Sequence, residues 1–141
     1  MKRRERGQVL AFYAVLVPVI LVPLAAYTVD AAFVSMQAAA LQAATAQAAE
    51  AASEQVDVGA LRSRSVLMVD PLNARLAGAR AMRDSEPAAV VDSVLVAGST
   101  VTISTREIIR LPFSFLPAQA IVIHARASAR LVGGYDKPSS R

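Results

Sequence analysis

The chain has 141 residues, of which 55% are hydrophobic, 18% charged and 5% aromatic. It contains no cysteine and one histidine, which excludes a disulfide, a thiolate metal site, a catalytic cysteine and a centre of several histidines. Four of the 15 basic residues and one of the 11 acids lie in residues 2–6, so the formal charge of +4 is concentrated at the N-terminus. The nearly neutral remainder lacks the clustered charge that nucleic-acid binding needs. We therefore expect no nucleic-acid partner, no metal and no cofactor.

The first predicted element is a transmembrane helix over residues 9–29, a run of 21 residues without a formal charge. As a helix it would extend about 31 Å, close to the thickness of a bilayer core. A cleaved signal peptide, cut near Ala26, is the disfavoured alternative, because its apolar region would usually cover only about 7–15 residues. The basic segment 1–8 should remain in the cytoplasm. These features predict a single-pass protein of the cytoplasmic membrane, in contact with lipid, with its C-terminal part outside.

Three residues of this region could have a special role. Pro18 and Pro23 lie inside the predicted span, where they are either simply tolerated or let the helix bend. Asp30 follows the span directly and is a candidate interface residue. Its carboxylate should reach interfacial water or, less readily, pair with a cation of a partner.

A stalk helix is predicted over residues 30–56, because 12 of the 22 residues in 31–52 are alanine and none is glycine or proline. One row of mostly small residues recurs at steps of three and four along it, which indicates a packing surface. The row consists of Val34, Ala38, Leu41, Thr45, Ala48 and Ala52. It could pack on the protein's own sheet or on helices of neighbouring subunits, and the sequence does not separate these alternatives.

Residues 57–132 are predicted to form a small α+β domain outside the membrane, and residues 133–141 a disordered tail. After an irregular connection with a short helix or turn, Asp70-Pro71 indicates the start of a helix ending near Arg83. Its predicted apolar face consists of Leu72, Leu76, Ala79 and Met82. Strands are expected at 89–96, 100–109 and 121–131, with a short hairpin loop at 97–99 and an apolar loop at 111–119. The predicted fold class is thus α+β, with a long N-terminal helix, a short helix and an antiparallel sheet of about three strands.

The third predicted strand alternates along its whole length, which places His124, Arg126 and Arg130 on a polar face. We expect this face to be solvated, although it could hold an acidic partner or a surface polyanion. His124 could act as a general base, but it lies in no recognisable catalytic motif. We therefore expect no catalytic residue and no enzymatic activity.

Several of these segments together resemble a known family. Glu5-Arg6-Gly7-Gln8, the apolar run with Pro18, Val29-Asp30 and Leu41-Gln42-Ala43-Ala44 are similar to the N-terminal region of TadE/TadG-like proteins of the Tad (tight adherence, Flp) pilus system. The hairpin and the closing strand over 122–130 are similar to the family's ending. The resemblance implies a type IV pilin-like fold and a minor pilin or pseudopilin. Such a protein would assemble or anchor a Flp pilus by packing its helix against other pilin-like subunits.

The N-terminus departs from the prepilin pattern. Prepilins are cleaved after a glycine and carry glutamate five residues later, whereas Phe12 lies at that distance from Gly7. Gly7 and Gln8 remain a candidate processing site and prepilin peptidase a candidate partner. An uncleaved chain would be a retained, TadG-like membrane component, and a cleaved one could enter the fibre. The alternative to a pilus role is a membrane-anchored binding module whose basic strand face holds a polyanion outside the cell.

Overall fold

A computed structural model of the protein describes residues 2–113 and 120–132, with side chains from residue 10 onward. It confirms the predicted α+β class. The elements are α1 (Lys2–Ser53), α2 (Val58–Arg64), α3 (Pro71–Ser85), β1 (Val90–Ala97), β2 (Thr100–Arg110) and β3 (Ala120–Arg130). The predicted tail at 133–141 and residues 114–119 of the predicted loop lie outside the described residues.

The chain forms two compact units. Unit 1 comprises Met1–Met36 and Ile109–Ile121, and unit 2 comprises Gln37–Ile108 and Val122–Arg141. Each unit combines a stretch of α1 with residues that are distant in sequence. Helix α1, strand β2 and strand β3 therefore contribute to both units.

Helix α1 is long and apolar enough to cross a membrane from Leu10 onward. Only 6% of its most apolar stretch of 18 residues is buried by the rest of the protein, which distinguishes it from the core helix of a globular domain. Pro18 and Pro23 lie inside the helix and do not end it. The alanine-rich second half continues the helix to Ser53, as expected from the high helix propensity of alanine.

Aspartate residues are the N-caps of both α2 and α3. The Asp57 side chain accepts a hydrogen bond from the backbone N–H of Ala60 at 2.9 Å, at the start of α2. Asp70 accepts from Leu72 N–H at 2.9 Å at the start of α3, where Pro71 takes the first helical position. The predicted start of α3 at Asp70-Pro71 is thus confirmed.

The buried face of α3 differs from the predicted one. Leu72 and Leu76 are 69% and 55% exposed, whereas Ala74, Gly78 and Met82 are buried. The reason is the close approach of other elements at Gly78. A Cβ atom there would lie 2.8 Å from Ile103 Cδ1 and 3.4 Å from Ala52 Cβ. Helix α3 therefore packs through the face that contains Gly78, on which Met82 is buried as predicted, and Leu72 and Leu76 lie on the other side of the helix.

The three strands form one antiparallel sheet in the order β1-β2-β3. Strands β1 and β2 pair from Val90↔Arg106 to Ala97↔Thr100, and Gly98 takes a positive φ of 63° in the turn. The register shifts at Asp92, whose carboxylate forms an ion pair with Arg106 at 3.0 Å. Strand β3 lies beside β2, with Thr102 Oγ1 and Ser128 Oγ 2.8 Å apart.

The core of unit 2 lies where the second half of α1 meets the inner face of the sheet. The predicted alternation of β3 is confirmed, because Ile123 and Ala125 are buried while His124 and Arg126 are exposed. Strand β2 alternates in the same way and buries Val101, Ile103 and Thr105. The helix contributes Leu41, Ala44, Thr45, Ala48, Ala49 and Ala52.

Two buried threonines connect the helix to the sheet. Thr45 Oγ1 donates to the carbonyl of Leu41 at 2.7 Å and lies 2.6 Å from Thr105 Oγ1. A hydroxyl has a single proton, so Thr45 must be the acceptor in the contact between the two side chains and Thr105 the donor. The Thr105 hydroxyl therefore donates its proton to Thr45 Oγ1. The Thr45 hydroxyl donates to the Leu41 carbonyl and would still do so if Thr105 were replaced.

This asymmetry predicts unequal effects of two isosteric substitutions. Thr45→Val should lower the free energy of unfolding by about 1–3 kcal/mol, because it leaves the buried Thr105 donor without an acceptor. Thr105→Val should cost less. The double variant should be no less stable than Thr45→Val alone, because the second change removes the orphaned donor. Hydrogen exchange of the β2 amides in the detergent-solubilised chain measures these differences, and equal losses for the two single variants would contradict the assigned donor.

Candidate functional site

The predicted helix row is largely buried within the protein. Leu41, Thr45, Ala48 and Ala52 have no exposed surface. Val34 is half-buried, and Ala38 is exposed and departs from the row. Of the two alternatives that the sequence leaves open, the buried part of the row packs on the protein's own elements, as the Thr45–Thr105 contact shows.

The first part of α1 carries a continuous apolar surface. Its large apolar side chains from Leu10 to Val29 are exposed, apart from Leu16, which is half-buried. Exposed contiguous apolar surface of this extent is rare on soluble monomers, and it requires lipid or other apolar helices to cover it. This surface is therefore a candidate interaction site.

Asp30 is buried, with an exposed fraction of 4%. The sequence predicted its carboxylate in interfacial water or against a partner's cation. The structure instead has Asp30 Oδ1 accept a hydrogen bond from the backbone N–H of Phe113 at 3.2 Å, within unit 1. The periodicity of α1 could not indicate this contact, because the donor lies 83 residues further along the chain.

The outer face of the sheet is rich in basic side chains. His124, Arg126 and Arg130 are exposed on β3, where the alternation predicted them. Arg106 is exposed on an outer position of β2, which the sequence analysis did not single out. Asp92 neutralises Arg106 through their ion pair. The face could therefore attract an anionic ligand through its other cations.

Glu107 is a buried acid on the inner face of β2, with an exposed fraction of 6%. Burial raises the pKa of the Glu107 carboxyl, and the nearby charge of Glu86 raises it further. Within the described residues no hydrogen bond or ion pair compensates its charge. Strand alternation places residue 107 inward, but sequence analysis missed it as a titratable core group.

The candidate processing site and possible metal ligands complete the survey of the predicted sites. Gly7 and Gln8 lie within α1, and cleavage between them stays a prediction. In the described ranges, 2–113 and 120–132, no group of three or more His, Asp or Glu residues could hold a metal ion. No family model matches the chain, and no curated protein or solved structure is significantly similar to it.

The raised pKa of Glu107 predicts a pH-dependent effect of Glu107→Gln. The Glu107 carboxyl binds its proton more tightly in the folded state than in the unfolded state. The free energy of unfolding of the wild type therefore falls as the pH rises from the ordinary pKa of this carboxyl through the raised one. We expect Glu107→Gln to be more stable than the wild type at neutral pH, with a difference that shrinks as the pH falls through this range.

Denaturant unfolding in detergent at several pH values checks this expectation. Hydrogen exchange of the β2 amides monitors the unfolding. Glu54→Gln is the matched control, because Glu54 is exposed. A stabilisation by Glu107→Gln that is constant with pH would contradict the titration of this carboxyl.

Proposed function

We propose that the protein is a TadE/TadG-like membrane subunit, a minor pilin or pseudopilin that helps to assemble or anchor a Flp pilus without catalysis. The observation that carries the proposal is the division of one helix between two environments. The first part of α1 exposes apolar side chains from Leu10 to Val29, and its last part is buried under an antiparallel sheet. A helix used in this way supports a pilin-like role, in which it is both the anchor and the backbone of the head.

The charge distribution favours one orientation of this subunit. Lys2, Arg3, Arg4 and Arg6 precede the apolar stretch, and no basic residue follows it before Arg62. Basic flanks are retained on the cytoplasmic side, so the N-terminus would be inside and the α+β part outside. In this orientation the sheet would be available to partners beyond the cytoplasmic membrane.

The burial pattern also indicates which face of α1 would meet neighbouring helices. The row at Leu41, Thr45 and Ala48 is already covered within the protein. Ala39 and Ala43 are exposed instead and have small side chains, which permit close approach of a second helix. Contacts with other pilin-like subunits in this stretch would therefore use the Ala39 side of the helix.

Photo-crosslinking in native membranes tests this proposal. Replacing Ala39 with p-benzoylphenylalanine should produce covalent adducts with other chains that carry an N-terminal apolar helix, because this side would face them. The control places the same residue at Leu95, an exposed position on β1. Mass spectrometry identifies the adducts. An absence of protein adducts at Ala39, or identical adducts at both positions, would count against helix packing between subunits.

A second candidate function is supported by the outer sheet face. Its exposed cations, Arg126 and Arg130 on β3, could hold a polyanion at the cell surface. Such binding would be electrostatic and would weaken as salt screens the charges.

Replacing both arginines distinguishes this function from a purely structural one. We expect Arg126→Ala with Arg130→Ala to elute from immobilised heparin at lower salt than the wild type. The control, Arg75→Ala with Arg80→Ala, removes the same charge from exposed positions on α3 and should elute as the wild type does. Equal shifts for both pairs would show a net-charge effect and refute a specific binding face.

A further inference from the structure

We propose that residues 111–113, which follow β2, form a second membrane-contacting element, in which Asp30 holds the backbone and Phe113 contacts phospholipid acyl chains. The inference requires α1 to span the bilayer and goes beyond the proposed pilus role. Asp30, Phe113 and the residues around them all belong to unit 1.

Phe113 lies beside the outer part of the apolar stretch of α1. Phe113 lines an apolar groove of about 250 Å³ together with Val22, Ala25, Ala26 and Val29. These helix residues belong to the last eight of the predicted span, a length of about 12 Å at 1.5 Å per residue. Phe113 therefore lies level with the outer part of the apolar stretch and not beyond its end.

The backbone of residues 111–113 at this level needs hydrogen-bond partners within the protein. Irregular backbone is tolerated at membrane depth only when its polar groups have partners within the protein. Asp30 supplies such a partner, because its buried Oδ1 accepts the hydrogen bond of Phe113 N–H at 3.2 Å. This contact accounts for a buried acid immediately after an apolar span. The Phe113 ring remains 53% exposed, so it has free surface for lipid.

The neighbouring side chains match the chemistry of a phospholipid surface. Tyr27 is exposed and lines a second groove with Asp30, Leu111 and Ile121. Tyrosine favours the membrane interface because its ring is apolar and its hydroxyl polar. Arg110 is exposed next to Leu111 and offers a positive charge to lipid phosphates. The combination of an exposed aromatic ring, an interfacial tyrosine and a cation, continuous with the apolar span, identifies lipid as the occupant.

Tryptophan fluorescence of the full chain in vesicles tests the inference. The protein has no tryptophan, so Phe113→Trp introduces a single fluorophore. The vesicles contain phosphatidylcholine and phosphatidylglycerol, with or without bromine on the acyl chains near the headgroup. We expect brominated lipid to quench Phe113→Trp strongly and its emission to lie at shorter wavelength than that of Leu95→Trp. Leu95→Trp, an exposed position on β1, should not be quenched.

Three other results would have distinct meanings. Quenching of Phe113→Trp no stronger than that of Leu95→Trp would overturn the inference. A short-wavelength emission without quenching would also overturn it, because the ring would then be covered by protein, such as a second copy of the chain. Val19→Trp, in the middle of the span, reports on the anchor itself. Vesicles whose lipid is brominated near the ends of the acyl chains, at the bilayer centre, are used for this variant. If this lipid does not quench Val19→Trp, α1 does not span the bilayer, and the proposed membrane subunit fails as well.

The role of Asp30 is tested in the same Phe113→Trp background. Asp30→Asn keeps an acceptor oxygen for the Phe113 N–H, whereas Asp30→Leu removes it. We expect lipid quenching to be retained with Asp30→Asn and reduced with Asp30→Leu. Equal quenching in both variants would refute Asp30 as the residue that holds this segment at the membrane.

Discussion

The last part of α1 lies close to β2 and α3 because small residues occupy the positions where the three elements meet. A Cβ atom at Gly78 would lie 2.8 Å from Ile103 Cδ1 and 3.4 Å from Ala52 Cβ, so these elements are in close contact. On the same helix as Ala52, Thr45 lies within hydrogen-bond distance of Thr105 on β2. Alanines bury little apolar area each, so the larger buried side chains Leu41, Met82 and Ile103 supply much of the apolar area of unit 2, and the small residues permit close packing around them.

Hydrophobic periodicity predicts correctly which residues are buried where one face of an element is buried and the other is exposed to solvent. Strand β3 follows its predicted alternation because a period of two separates core from solvent directly. In α3 the prediction is right for Met82, which is buried, and wrong for Leu72 and Leu76. The two leucines are exposed because the helix packs through the face that contains Gly78. Hydrophobicity along a helix cannot show how near its neighbours come.

Two buried acids illustrate what single-sequence reasoning cannot reach. Asp30 was recognised as unusual from its place after an apolar run, but its partner Phe113 is brought to it only by the tertiary fold. Glu107 occupies a position that alternation assigns to the core, and its environment depends on Glu86, which is distant in sequence. Sequence analysis singled out Asp30 and missed Glu107, and in both cases the fold decides whether the charge is compensated. Asp30 has a backbone donor, whereas burial raises the pKa of Glu107.

The division of α1 constrains any assembly that the protein enters. A helix has a limited circumference, and each face that packs on the protein's own sheet is lost to partners. Around Leu41 and Ala48 that face is buried within the protein, whereas Ala39 and Ala43 are exposed and small enough for a neighbouring helix to approach closely. From Leu10 to Val29 the apolar surface is exposed and can face lipid or apolar helices. Contacts with lipid or with apolar helices are therefore available in the first part of α1, whereas a partner on the buried face of the second part would have to displace the protein's own packing.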